Sequence, residues 1–410
     1  MARSRLRRLY TGCSSAAALL VAAVHFVGCG EPDPDRAIRL ATFNVEDLRT
    51  SDLVGEGHER LTQIAEAIQE IRPDILLINE IAYDYPELAP GDGLPPGSNA
   101  TRLVKSFLSL PAREDLRPLA YTVYQPTTNT GLHSGFDLDN SGDQRGQYES
   151  PAPSDASGSP PRQTAADREY GNDCWGFGTF PGQYGMALLV RDGFRIREEG
   201  IRTYQQFLWS SMPDALVPRD RLGNAWYSPE EWGAFRLSSK THALIPVELE
   251  DGRIVSVLIS HPTPPAFDGP EGRNKNRNHD EIRLLSGIVG DEQWVIDDAG
   301  RVGGVEPGTP FVILGDLNAD SDEGSSVGDP VGKYLSYSRS QERITVPVAD
   351  SAGVAAFPEL DPDDTARFGM RVDYVLPSED FDIVGSGVHR SSSAAGASDH
   401  FPVWVDVILP

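Results

Sequence analysis

Ile38-Arg39-Leu40-Ala41-Thr42-Phe43-Asn44 and Asp74-Ile75-Leu76-Leu77-Ile78-Asn79-Glu80 are the two stretches whose reading decides the fold. The first alternates apolar and polar residues like a half-buried strand, and the second reads as a buried strand with an acid at its end. Between them Leu61, Ile64, Ala65, Ile68 and Ile71 recur at the spacing of one helix face. Strand, helix and strand in that order favour an α/β architecture.

Working outward, Tyr184 to Val190, Thr241 to Leu249, Arg253 to His261, Phe311 to Asp316, Arg371 to Leu376 and Val403 to Leu409 read as further strands. Asn278 to Val289 reads as an amphipathic helix. No internal repeat or coiled-coil pattern is present. Residues 84–182 are dense in Gly, Pro, Ser and Asp, with a helix expected near Thr101 to Leu108 and a strand near Tyr121 to Tyr124. Most of this stretch is expected to be a long insertion over the scaffold. A second insertion is expected at 204–235, where Trp209, Trp226 and Trp232 offer aromatic burial.

Several strands end in an acid, an amide or an imidazole, the pattern expected when loops at one sheet edge converge on a polar site. These ends are Thr42-Phe43-Asn44-Val45, Ile78-Asn79-Glu80, Ser260-His261-Pro262, Leu314-Gly315-Asp316-Leu317-Asn318, Arg371-Val372-Asp373-Tyr374 and Ser398-Asp399-His400. A lone Asn or Glu at a strand end is usually a turn or cap residue. Asp316 and Asn318 are more specific, because two polar side chains two residues apart after an apolar run aim to the same side.

In this order the motifs resemble the endonuclease/exonuclease/phosphatase superfamily, over Ile38 to Leu409. The resemblance implies a four-layer sandwich of two packed mixed β-sheets flanked by helices, with the site at one edge. It implies that Glu80 is the chief metal ligand, with Asn44 and Asp399 near the metal, which suits magnesium or manganese. It implies that Asp316 aligns or deprotonates the attacking water, Asn318 holds a phosphate oxygen, His400 contacts the phosphoryl group and Asp373 orients its ring. His261 matches an additional histidine on the transition state or leaving group; its usual Glu partner has no assignable counterpart in this sequence. Charge building on the phosphorus oxygens requires a cation and an imidazolium facing it.

Other stretches leave two readings open. Arg273-Asn274-Lys275-Asn276-Arg277-Asn278-His279 is either a phosphate or substrate clamp, chiefly through Arg277 and Asn278, or a solvated helix start capped by Asn278. Gln183 and Tyr184 are either substrate-facing or a strand-end turn. Asp137-Leu138-Asp139-Asn140-Ser141-Gly142-Asp143 has the acid spacing of a calcium loop through Asp137, Asp139 and Asp143, but no Glu stands at its twelfth position, so an Asx-rich turn is the alternative. The remaining histidines show no zinc spacing, and no Gly-rich phosphate loop or nucleophile elbow occurs. Direct attack by water is the consistent mechanism.

Residues 1–28 read as an export leader, with Arg3, Arg5, Arg7 and Arg8 before an apolar stretch too short to span a membrane comfortably. Phe26-Val27-Gly28-Cys29 resembles a lipobox, so membrane anchoring through a lipidated Cys29 is expected, with plain cleavage and secretion the alternative. Residues 29–37 form a tether and 38–410 the main domain. Cys174 is the one cysteine left in the body, so no internal disulfide is expected. The net charge of -25 becomes about -29 once the four leader arginines are gone. Such a chain lacks the broad basic surface that drives nucleic-acid binding, although a metal and a few cations suffice to hold one phosphate. The expected partner is a phosphoester, either nucleic acid or a small or lipid phosphoester, met by a periplasmic, cell-surface or secreted monomer. A non-catalytic binding protein of the same fold is the reading from another class.

Overall fold

The computed structural model describes residues 37–55, 57–336 and 346–409. The expected leader, Cys29 and the tether up to residue 36 lie outside the described residues. Twelve strands are described: β1 (Ile38–Leu48), β2 (Ile75–Ile81), β3 (Tyr121–Tyr124), β4 (Met186–Arg191), β5 (Arg195–Ile196), β6 (Arg202–Thr203), β7 (Ala243–Glu248), β8 (Ile254–Ile259), β9 (Phe311–Asp316), β10 (Asp373–Pro377), β11 (Asp382–Val388) and β12 (Val403–Ile408). One sheet runs β11-β12-β1-β2-β4-β3 and the other β10-β9-β8-β7-β5, with β6 also paired to β7. Each sheet is mixed, because β1 and β2 pair in parallel, as do β8 and β9, while the other pairings are antiparallel.

The two-residue period of a strand sorts side chains between layers. Val312 and Leu314 of β9, with Val257 and Ile259 of β8, join one core with Leu40, Phe43, Leu77 and Val405 of the other sheet. Phe311, Ile313 and Leu258 turn to the opposite face and pack on Ile282, Leu285 and Ile288 of the helix Arg273–Val289. On the far side, the helix Glu59–Ile71 lays the fully buried Leu61, Ile64 and Ile68 against the first sheet. The result is the expected four layers. Each of these fully buried aliphatic side chains contributes about 1.5–3 kcal/mol, and truncation of one, such as Ile64→Ala, costs about 2–5 kcal/mol.

Strand direction then decides where the chemistry lies. The parallel partners β1 and β2 end on the same side, β8 and β9 likewise, and the antiparallel β10 and β12 begin where their neighbours end. All six polar motifs therefore meet at one edge. Gly315 permits part of this: a Cβ there would sit 2.1 Å from the Ser260 carbonyl oxygen, so only glycine lets β9 approach β8 so closely.

Three details depart from the sequence reading. The helix expected from Asn278 begins five residues earlier, at Arg273, and its first turn is capped by Asp268, which accepts from Asn274 N at 2.7 Å and Lys275 N at 2.9 Å. Asn278 is therefore neither a cap nor a solvated start. The strand expected from Tyr184 begins at Met186, leaving Gln183 and Tyr184 in the turn before it. The short β5 and β6, and β11, had no sequence signal. Within the expected insertions, β3 adds an edge strand to the first sheet, and Trp209 lies 5.1 Å from Trp232 and 5.6 Å from Phe235, centroid to centroid.

Candidate active site

The ladder that β1 forms with β2 shifts register between Asn44 and Leu48, and Glu46 and Asp47 in this bulge have φ of 50° and 49°. A bulge re-aims side chains at a sheet edge. Here it directs the Asp47 N–H to Glu80 Oε2 at 3.0 Å. Glu80, Tyr184 and Asn318 also have positive φ, so five of the eleven described non-glycine residues with that strain belong to this edge. Strain of this kind concentrates where geometry serves function.

Asn44 donates its amide to Glu80 Oε1 at 3.1 Å and to Asp316 Oδ2 at 3.0 Å. Its Oδ1 accepts from the Glu46 N–H at 2.9 Å. Asn44, expected near the metal, thus stands between the two carboxylates, its amide bridging them and its oxygen turned to the backbone. His261 Nε2 lies 3.4 Å from Asp316 Oδ2 and 4.0 Å from Glu80 Oε1. Its buried Nδ1 has no hydrogen-bond partner, and among the described residues no other carboxylate lies within ion-pair distance. Asn318 donates to the Pro262 carbonyl at 3.2 Å, tying its loop to the one that carries His261.

Asp373 stands directly across the β9–β10 ladder from Asp316. Its Oδ2 lies 2.8 Å from His400 Nδ1 and accepts from Thr365 Oγ1 at 2.8 Å. His400 Nε2 then faces Asp316 Oδ2 and Asp399 Oδ1, each at 3.9 Å. Asp399 is half exposed at the rim.

The two histidines differ in charge. Burial on its own would lower the His400 pKa, but Asp373 and Asp316 outweigh it and hold the ring well above the ordinary value. Burial, with Lys240 and His400 nearby, holds His261 well below it. His400 is thus the imidazolium and His261 the neutral ring. Burial pushes Glu80 up to about 7, and burial followed by the Asp373 charge pushes Asp316 up to about 6.

The donor chemistry fits a hard divalent cation. Glu80, Asp316 and His261 each bring a ligand atom within 4.8 Å of the others, and the raised pKa values of both carboxyls show charge that the protein itself leaves under-compensated. Glu80 and Asp316 are the residues that would hold such an ion.

A family model described as the Endonuclease/Exonuclease/phosphatase family matches residues 41–400. The chain belongs to that family. The match takes in all six motifs and, apart from β12 and the start of β1, the strands of both sheets. Solved structures similar to this endonuclease/exonuclease/phosphatase chain include a family protein from Beutenbergia cavernae, at 17% identity over 91% of this chain and 72% of that one, with a TM-score of 0.49. The human Nocturnin catalytic domain with bound sulfate is 16% identical over 90% and 93%, with a TM-score of 0.44. A mannosyl-6-phosphatase from Bacteroides thetaiotaomicron is 15% identical over 90% and 99%, with a TM-score of 0.42. No curated protein matches the chain.

Other residues proposed for this family site hold the scaffold. Gln183 is fully buried: its Oε1 accepts from Thr179 N at 2.7 Å and its Nε2 donates to Asp47 Oδ2 at 2.9 Å, so it is not substrate-facing but fixes the bulge that meets Glu80. Tyr184 stays half-buried beside Asp47 and Glu80, its hydroxyl 3.1 Å from Gln163 Nε2. Arg277 donates to the carbonyls of Leu237, Trp175 and Arg236 at 2.6–2.9 Å. Asn278 donates to Thr263 O at 2.9 Å and Leu317 O at 3.0 Å. The Asn278 amide and the Nε and Nη2 of Arg277 are thus engaged by the scaffold, which corrects the reading of these two residues chiefly as a phosphate clamp.

The sequence reading missed the residues that support the strand ends. Arg60 on the helix Glu59–Ile71 donates to the carbonyls of Val45 and Glu46 in the bulge, and to Ala397 O and Gly158 O at 2.8 Å. Glu281 is fully buried and accepts from Ser239 N and Thr263 N at 2.6 Å, holding the chain on both sides of His261. Lys240 is buried 3.4 Å from the Pro262 carbonyl, in the field of Glu80 and Asp316. Phe368 is 50% exposed and meets the His400 ring edge-on at 5.5 Å.

Proposed function

We propose that the protein hydrolyses a phosphodiester by direct attack of water, as a divalent-metal-dependent hydrolase of nuclease type. The observation that carries this reading is that Asp316 lies within 3.4 Å of His261 and 3.9 Å of His400, with Glu80 bridged to it through Asn44. Asp316 aligns the water. His400, fixed by Asp373, offers a positive N–H to the phosphorus oxygens. His261, with its free Nδ1 side unpaired and its Nε2 in the site, serves as the neutral donor or acceptor beside the reacting group. Glu80 and Asp316 would hold a divalent cation, whose chemistry there would be charge stabilisation at the developing oxyanion. Asn318 positions the His261 loop, and Tyr184, Lys240 and Phe368 line the site where the ester would lie. Preorganised charge carries more of the rate than proton transfer, because these groups are fixed before substrate arrives.

A second reading, a small or lipid phosphoester as substrate, is supported by the acidic rim. Burial and Asp399 together raise the pKa of Glu46 beside His400, and the chain carries a net charge of -25, which repels a long polyanion. Purified protein offered plasmid DNA, bis-p-nitrophenyl phosphate and p-nitrophenyl phosphate with magnesium, manganese or calcium separates the readings. Nicking of the plasmid supports the nuclease, and cleavage of the small esters without nicking sinks it. Turnover of none of them with any metal favours a binding protein.

We also infer export, with Cys29 as a lipidated anchor, from the basic and apolar pattern of residues 1–28. Among the described residues no helix is long and apolar enough to cross a membrane. Membrane fractionation of a Cys29→Ala variant tests the anchor: release into the soluble fraction supports it, and unchanged fractionation contradicts it.

A further inference from the structure

Away from the catalytic edge, Asp137-Leu138-Asp139-Asn140-Ser141-Gly142-Asp143 folds like the first half of a calcium-binding loop, with acids in the first and third places, Ser141 in the fifth and Gly142 in the sixth. The Ser141 N–H donates to Asp137 Oδ1 at 3.0 Å and Asp139 Oδ1 at 3.1 Å, and the Gly142 N–H donates to Asp137 Oδ2 at 2.9 Å. Gly142 has φ of 85°, the left-handed conformation that the sharp turn at the sixth place demands. The twelfth place is Tyr148, so the loop cannot finish its own ligand set.

The fold supplies the missing acid from elsewhere. Asp173, directly after the helix Ala165–Asn172, is 1% exposed, and it brings a carboxylate oxygen within 4.8 Å of ligand atoms from Asp137 and Asp139. Its Oδ1 accepts from the Leu138 N–H at 2.8 Å, while its buried Oδ2 has no hydrogen-bond partner. A buried carboxylate oxygen without a donor is costly unless a cation answers it. Burial, then the charges of Asp139 and Asp137, push the Asp173 carboxyl up to about 6. The neighbouring guanidinium of Arg273 is engaged with the Leu138 carbonyl at 3.0 Å, and Asn172 donates to Asp139 Oδ2 at 2.8 Å.

We propose that Asp137, Asp139 and Asp173 form a second cation site, of calcium type, that fastens the 137–143 loop to the chain around Asp173. Three carboxylates from two separate segments, with the Ser141 hydroxyl and Asp143 carbonyl in the same turn, make an irregular oxygen cage that suits calcium better than the strict octahedron of magnesium. Asp143 contributes no carboxylate to the cage. The fastening has reach: the Asp173 carbonyl accepts from Ser134 N at 2.9 Å, Thr130 bridges Gly176, and the Thr130 hydroxyl donates to the Gln183 carbonyl, beside the side chain that holds Asp47. The cation thus steadies the wall behind the catalytic bulge without touching substrate.

The test uses the full chain carrying Glu80→Gln and Asp316→Asn, which removes the catalytic ligands, stripped by chelator and titrated with calcium chloride by calorimetry and thermal melting. One equivalent of calcium should bind and raise the Tm. Adding Asp173→Asn or Asp139→Asn should weaken binding at least tenfold, while Asp143→Asn should leave it within a factor of two. Absence of binding in the double variant, a response to magnesium equal to that to calcium, or binding that survives both Asp173→Asn and Asp139→Asn overturns the proposal. The half-buried Asp139 keeps the test valid should Asp173→Asn not fold.

Discussion

Asp373 Oδ2 lies 2.8 Å from His400 Nδ1, and Asp373 is paired across the β9–β10 ladder with Asp316, whose Oδ2 lies 3.9 Å from the other nitrogen of the same ring. One imidazole therefore stands between two carboxylates fixed by a single backbone register. Because its folded pKa is raised, the stability this ring contributes is fully present below the ordinary histidine value and is lost as pH rises through the raised one. Asp373→Asn removes the leading attraction, so the ring should lose its proton at lower pH. The expected outcome is a kcat/KM profile whose alkaline limb moves to lower pH, with activity at pH 8 falling about tenfold for each unit by which the ring's pKa drops below 8. An unshifted limb would mean that His400 does not work as an imidazolium.

Glu80 loses stability with rising pH as well, but because its charged form is the disfavoured one. Its carboxyl, pushed by burial from 4.5 to about 7, destabilises the metal-free protein once ionised, so stability is full below about pH 4.5 and declines as pH rises through about 7. In chelator, Glu80→Gln should melt above the unmodified protein at pH 8, by about 3 °C or more, and close to it at pH 5. With magnesium present the order at pH 8 should reverse, because the variant loses the ion's stabilisation. A melting difference that does not change with pH would mean that the Glu80 carboxyl is not held protonated by burial.

Arg60 joins the helix Glu59–Ile71 to the catalytic bulge through the carbonyls of Val45 and Glu46, and also holds those of Gly158 and Ala397. Arg60→Met leaves those buried acceptors unpaired, at a cost of about 3 kcal/mol in urea unfolding. It should also lower kcat more than it raises KM, since the bulge positions Glu80 and not the substrate. A loss confined to KM would place Arg60 on the substrate instead.

Asn278→Ala should cost about 2 kcal/mol of stability, for the two carbonyls it abandons, and leave KM within about twofold. Had Asn278 clamped the phosphate, KM would rise at least tenfold with stability little changed. Steady-state kinetics beside thermal melts tell the two apart.

The parts legible in the sequence share one property, in that a residue's role is announced by its immediate neighbours. The apolar run of Phe311–Leu314 marks both the strand β9 and the polar Gly315-Asp316-Leu317-Asn318 at its end, and the strand occupies the expected residues. Asn44, Glu80, His261, Asp373 and His400 stood out likewise, and the fold brings them together. What was hidden depends on partners distant in sequence. Arg60 sits in an ordinary amphipathic helix, Glu281 in the middle of another, and Lys240 in a polar stretch before β7, so nothing local separates them from surface charges. Arg277 and Asn278 misled for the same reason, because a basic, amide-rich run looks solvated until its carbonyl partners are placed beside it. β11 was hidden by its own composition, since Asp382-Ile383-Val384-Gly385-Ser386-Gly387-Val388 has two glycines and lies at the edge of its sheet. The calcium-type loop looked incomplete because its third acid, Asp173, comes from another segment.

On the proposed reading Asp316, held between Asn44, His261 and His400, directs water at a phosphodiester. Hydrolysis of bis-p-nitrophenyl phosphate and nicking of plasmid DNA, followed with magnesium for the unmodified protein and for Asp316→Asn, test it most directly. The expected outcome is a loss of about 10²- to 10⁴-fold in kcat with the fold retained. Turnover by Asp316→Asn at the unmodified rate would contradict it.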